Sequence, residues 1–215
     1  MMSEEVISFL IFCHAALGGL ALIAGFIAIV AQKGLKVHKV SGKTFFISMV
    51  ISAILSLLIA TQPNHKSPFL LAIGIFTLYF IIAGARALRF KRSQTNLSVD
   101  KFLSTVMMLT GLSMIILPIV INGRINIVLA AFGAIGTVFA LRDLSLYRQT
   151  STLKKVWLKQ HLGKMLGGYI STVTAFIVVN QVIPGIFGWF APSVLGSFYI
   201  AFWIRKLNTS NKRSK

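Results

Sequence analysis

Three kinds of side chain in this sequence could ligate a metal, relay a proton or attack a bond, and all are scarce. There are four histidines (His14, His38, His65, His161), four acids (Glu4, Glu5, Asp100, Asp143) and one cysteine, Cys13. Imidazole and carboxylate together can hold a metal or pass a proton, so His38, Asp143 and His161 form the first candidate site. At least two of them are expected within roughly 3 to 5 Å of each other or of a shared ion. The competing structural roles are plain: Asp143 could pair with Arg86 or Arg142, and the histidines could hydrogen-bond backbone carbonyls or lipid phosphates. His14 stands apart. On a helix, the 18 residues from His14 to Gln32 already span about 27 Å, so His14 would serve a second site, with His65 or Met114 as partner. Otherwise it is a neutral imidazole bonded to a neighbouring helix. Met107, Met108 and Met114 are expected to fill core gaps, although thioethers can also ligate copper or haem iron. One cysteine excludes an intrachain disulfide and a cysteine-based zinc knuckle. The chain has no HExxH pair, GxSxG elbow, CxxC or glycine-rich phosphate loop.

The elements that must position these residues are membrane helices. With 56% hydrophobic and 12% charged residues and a mean hydropathy of +0.82, the composition is that of an integral membrane protein. Seven apolar segments stand at about 6–32, 44–61, 69–88, 102–121, 127–141, 165–183 and 187–204. The expected fold is therefore an all-α bundle of seven transmembrane helices, a single domain over 1–207 followed by a basic tail, 208–215. The first segment, at about 1.5 Å per residue, reaches roughly 40 Å and spans a hydrocarbon core of roughly 30 Å with room for tilt. His14, Gly18, Ala21, Gly25, Ala28 and Gln32 follow one another on one face of it, and His161, Met165, Gly168, Thr172 and Ala175 do the same in the sixth segment. Small residues let a neighbouring backbone approach, and an ionisable group turns away from lipid, so both faces should meet protein. The amino terminus lacks the basic region of a signal peptide and is expected to stay in the mature protein.

The charges order the loops. Of 22 Lys and Arg, twenty fall in the first, third and fifth loops with their flanks and in the tail; the other two are Lys66 and Arg124. Cytoplasmic loops carry the basic excess, so the amino terminus is expected outside and the carboxyl terminus in the cytoplasm of a multi-pass protein of the cell membrane. The net charge of +18 is thus a topology signal. It points to anionic lipid at the cytoplasmic face, and nucleic acid is not expected as a partner. The connections at 61–68, 122–126 and 184–188 are read as tight turns. In the long fifth loop, Leu153, Trp157 and His161 share a face, which reads as a helical lead-in with Trp157 in the interfacial belt.

The spacing His14-x3-Gly18-x6-Gly25-x7-Lys33-Gly34-x3-His38-x3-Gly42, with His161-x3-Met165-x3-Tyr169 and Thr174-Ala175-Phe176, resembles a family of bacterial predicted membrane proteins known only as a domain of unknown function. The resemblance covers most of the chain and implies no activity. Histidines near both faces of a small bundle also look like transmembrane b-type cytochromes of the b561 kind, in which paired histidines on facing helices ligate haem at each face. That likeness implies haem b as cofactor and a redox role for His38 and His161, and for His14. Seven helices with an inner His/Asp cluster further look like the metal-dependent membrane hydrolases of the ceramidase and adiponectin-receptor superfamily. Those carry a His-x3-His pair on a late helix, whereas the residue four after His161 is Met165.

Three functions follow as expectations. The first is a redox or cofactor-binding membrane protein that holds haem b or a divalent metal at a cytoplasmic His/Asp site. The second is a small-solute or ion transporter, for which broken helices, repeats or buried charge are the marks. The third is a metal-dependent hydrolase.

Overall fold

A computed structural model describes residues 2–92 and 95–213. Seven long helices follow one another: α1 (Glu4–Val30), α2 (Lys36–Ala60), α3 (Pro68–Arg86), α4 (Ser98–Asn122), α5 (Ile127–Leu146), α6 (Thr150–Val179) and α7 (Ile186–Arg213). Short 3₁₀ turns stand at Pro63–His65 and Ala87–Arg89, and no strand occurs among the described residues. All seven helices are long and apolar enough to cross a membrane, and the chain is an integral membrane protein with an all-α, seven-helix fold.

Several helices begin or end beyond the apolar segments. α1 is capped by Ser3, whose hydroxyl accepts from the Val6 amide at 3.4 Å, with Glu4 and Glu5 in its first turn, where carboxylates oppose the helix dipole. Gly34, at φ +84°, turns the chain, and α2 starts at once at Lys36. His38 is therefore helical, where the apolar run alone puts it in a loop. No breaker other than Gly42 separates Leu35 from Thr44, so the helix continues out through its polar, basic first turns. For the same reason the lead-in at 153–161 and the sixth segment are one helix, and the expected long fifth loop shrinks to residues 147–149. Lys164 thereby lies inside α6 and Asp143 inside α5.

α3 lies at the centre, against α2, α4 and α6, while α1 runs along α2 and α4 along α5. Phe76, Tyr79 and Phe80 of α3 pack with Met107 and Met114 of α4 and Phe132 of α5 in one core. Ala21 and Ala24 of α1, Phe45 and Met49 of α2 and Ile81 of α3 form a second core, with Met165 and Tyr169 of α6 against it. The small-residue faces do meet protein: Ala21, Gly25 and Ala28 are buried in α1, and Gly168 and Thr172 in α6. A Cβ at Gly25 would come within 2.5 Å of the Tyr169 ring, and one at Gly168 within 2.5 Å of the Ile81 side chain. Phe9, Phe12, Phe26, Val120, Ile121, Leu195 and Phe198 point outward and are exposed, a lipid-facing belt that water would not tolerate.

Candidate functional site at the basic end of the bundle

The two histidines expected at the inner boundary each cap a helix. In His38, Nδ1 lies 2.9 Å from the carbonyl oxygen of Ala28, and in His161, Nδ1 lies 2.8 Å from that of Gly84. Ala28 and Gly84 fall among the last four residues of α1 and α3, whose carbonyls have no partner within their own helix. A carbonyl can only accept, so in both rings Nδ1 carries the hydrogen. A neutral imidazole so held has its lone pair on Nε2, and neither Nε2 has a hydrogen-bond partner among the described residues.

Both histidines line one cavity of about 590 Å³ between the ends of α1, α2, α3, α6 and α7. Gly25, Phe45, Met165 and Tyr169 line its part further into the bundle, where the absence of a Gly25 side chain admits the Tyr169 ring. Lys33, Lys39, Lys43 and Lys91, with Trp157 and Trp203, line it toward the helix ends, and none of the chain's four acids lines it. Lys33 is held by the carbonyls of Ala28, Ile29 and Ala31, which terminates α1. Lys91 lies 5.7 Å from the Trp157 ring centre. The cavity is thus mostly apolar, lined by four lysines and bordered by two imidazoles.

Asp143 does not join the histidines. Its Oδ2 accepts from Tyr79 Oη at 2.7 Å, from Ser104 Oγ and Tyr147 Oη at 3.3 Å each, and from Lys164 Nζ. Lys164 also donates to Tyr79 Oη at 3.1 Å. Asp143 and Lys164 are each only 2% exposed, so this is a closed lock joining α3, α4, α5 and α6. The other expected partners are absent from it. Arg86 forms a two-pronged pair with Asp100, at 2.8 and 2.7 Å, and Arg142 is exposed. Asp100, two residues ahead of the fourth apolar segment, lies in the first turn of α4 and is 1% exposed. Among the described residues no three His, Cys, Asp or Glu side chains group so as to hold a metal ion; His38 and His161 line the cavity, and Asp143 is engaged by Lys164. The physical reason is Lys164, an ammonium buried one turn beyond His161, whose charge in a low-dielectric interior demands the carboxylate.

Sequence reasoning counted Lys164 with the fifth loop. The signal that could have placed it was its position three after His161 and four before Gly168, on a face of small residues that must meet another helix. Tyr79, Ser104 and Tyr147 carried no such signal.

His14 is a clasp between α1 and α2. Its Nδ1–H donates to the Ser52 carbonyl at 2.9 Å, and the Ser52 hydroxyl donates to the His14 carbonyl at 3.0 Å. Neither candidate partner is there. His65 bonds Glu4 at 3.2 Å beside Asn64, and Met114 is in the core of α3, α4 and α5. Comparison with protein-family models, with curated proteins and with solved structures gives no match.

Proposed function

We propose that the protein is a haem-binding redox protein of the cell membrane, with its basic end in the cytoplasm and haem b held between His38 and His161. The observation that carries this reading is the pair of cavity-lining imidazoles, each with Nδ1–H fixed on a helix-terminal carbonyl and Nε2 left as a lone pair. A ring hydrogen bond of that kind orients a metal-binding histidine and raises its basicity. A bare divalent ion needs about three or four protein ligands, and two histidines fall short. An iron already held by a macrocycle needs only axial ligands, and two suffice. The apolar interior of the cavity suits a flat ring, and its lysine-lined mouth suits carboxylates at the ring edge. Bound haem would supply one-electron transfer. The chain's own residues would ligate, exclude water from the ring and balance its charge.

The test is titration of the purified protein with ferric haem, read as the Soret and α/β bands of a six-coordinate bis-imidazole complex. His38→Ala and His161→Ala should each abolish that spectrum, whereas His14→Ala should keep it. A wild-type protein that gives no such spectrum, or a His38/His161 double variant that retains it, overturns the reading. The buried Asp143–Lys164 pair favours a second reading, transport of a small solute or ion, because charge inside a membrane bundle commonly marks a transport path.

A further inference from the structure

The walls of the cavity are not held alike. α1 is fastened to α2 by the His14–Ser52 clasp and by His38 on the Ala28 carbonyl. α3 is fastened to α6 by His161 on the Gly84 carbonyl and by Thr77 with Ser171 at 2.7 Å. α6 closes on α1 where the Tyr169 ring fills the space over Gly25 and its hydroxyl donates to the Leu22 carbonyl at 3.3 Å. The remaining wall is α7, through Tyr199 and Trp203. α7 packs along α6, with Gly196 seated against Ile170, and is the least buried of the seven helices. At the basic end its described contacts with α1 are two: Tyr199 Oη donates to the Ile29 carbonyl at 3.5 Å, and Lys33 Nζ lies 5.3 Å from the Trp203 ring centre. The first is longer than an ordinary O–H···O bond, and the Ile29 carbonyl already accepts from Lys33 Nζ.

Two features favour parting of this seam. Trp203 Nε1 is shut away from solvent with no hydrogen-bond partner among the described residues. An indole N–H can only donate, and a buried donor without an acceptor is costly, so a movement that brings it to interfacial water relieves the closed state. Pro192 lies inside α7 and has no N–H for the Gly188 carbonyl, which makes it a place where a helix bends. Trp203 stands 11 residues beyond Pro192, about 16 Å along the helix, so a bend of about 10° displaces its ring by about 3 Å. Phe26 and Val30 of α1 and Phe198 and Phe202 of α7, neighbours of the seam residues on their own helices, are exposed to the lipid side. We infer that the α1–α7 seam is a lateral gate: the basic-end half of α7 swings about Pro192, and an apolar ligand enters the cavity from the bilayer and not past the lysines. That the ligand is haem rests on the proposed function; the gate itself does not.

The experiment places spin labels on the full-length protein in phosphatidylcholine nanodiscs, at Lys36→Cys on α2 and Asn208→Cys on α7, both exposed, in a Cys13→Ser background. Double electron–electron resonance then reads the separation without any ligand. A short and a longer distance are expected. Tyr199→Phe removes the latch and should raise the ratio of long to short about threefold, as loss of one weak hydrogen bond predicts. Trp203→Phe keeps an aromatic ring beside Tyr199 and Phe202 but removes the unanswered N–H, and should lower that ratio about fivefold. Pro192→Ala, which restores the N–H to Gly188, should lower it as well. The opposite signs separate a gate from general loosening. Capture of ferric haem from phosphatidylcholine vesicles, followed by stopped flow at the Soret band, should speed and slow with the same variants. A single distance in the wild type and all three variants, or a longer distance favoured by Tyr199→Phe and Trp203→Phe alike, overturns the inference. So does a capture rate that is slowed by Lys39→Gln or Lys91→Gln but indifferent to the three α7 variants, which would route the ligand past the lysines. If the distances shift as expected while ferric haem gives no bis-imidazole spectrum, the gate stands and the haem reading fails. If the bis-imidazole complex forms at one rate in all of them, the haem reading stands and the gate fails.

Discussion

At Asp143 four donors, from α3, α4, α6 and the turn after α5, converge on one oxygen, and the balance of forces there sets the first expectation. A buried ion pair contributes little net stability because desolvation offsets attraction, but removing one partner strands the other charge. Lys164→Met or Asp143→Leu alone should therefore lower stability by about 3 to 5 kcal/mol. The double variant should cost less than the sum of the two, because no charge is left unpaired. Thermal unfolding of the four proteins in one detergent gives the coupling; additive losses would show that the lysine and the carboxylate do not depend on each other. At His14 the expectation is smaller. Ser52→Ala removes the hydroxyl that donates to the His14 carbonyl but keeps the backbone carbonyl that receives Nδ1–H. The loss should be about 1 kcal/mol, read from the same unfolding midpoints.

Helix contact is where spacing in the sequence translated most directly into structure. The line His14, Gly18, Ala21, Gly25, Ala28 does face protein through its middle, and Gly25 is the point where α1 receives Tyr169 of α6. Gly25→Leu and Gly168→Leu should each cost about 1 to 3 kcal/mol by overpacking. Gly19→Leu is the control: a Cβ there meets nothing within 4 Å, so its midpoint should hardly move. A midpoint unchanged in both Gly25→Leu and Gly168→Leu would mean that these helices separate without cost in detergent. Periodicity could find these faces because a helix repeats every 3.6 residues whatever its neighbours are. It could not find the partners. That Asp143 pairs with Lys164 depends on how α5 and α6 sit across α3, and the spacing along one helix holds no information about the angle to the next. The helix ends were missed for a different reason. Hydropathy reports where the chain leaves lipid, whereas α2 and α6 continue through polar turns whose lysines are good helix formers and which hold no proline, which is how His38 came to lie on a helix and to cap α1.

Across the whole molecule, seven helices long and apolar enough to cross a membrane, with apolar side chains turned outward on the outer ones, make this a membrane bundle, and the charges carry the expectation for its direction. Twenty of the 22 basic residues fall in the first, third and fifth connections, in the helix stretches that flank them and in the carboxyl-terminal stretch, and the cavity lined by Lys33, Lys39, Lys43 and Lys91 opens among them. Moving those charges to the outside would oppose the bias that sets orientation during insertion, and it would turn the proposed cofactor site away from the cytoplasm. An odd number of spans with the basic end inside requires the two termini on opposite sides. A reporter that is active only in the cytoplasm should therefore work when fused after Lys215 and fail when fused before Met1. A periplasmic reporter at the same two positions should give the reverse. Activity of the cytoplasmic reporter at both ends would mean that one helix lies in the interface and does not cross. Activity only at the amino terminus would invert the bundle and place the His38–His161 cavity on the outer face.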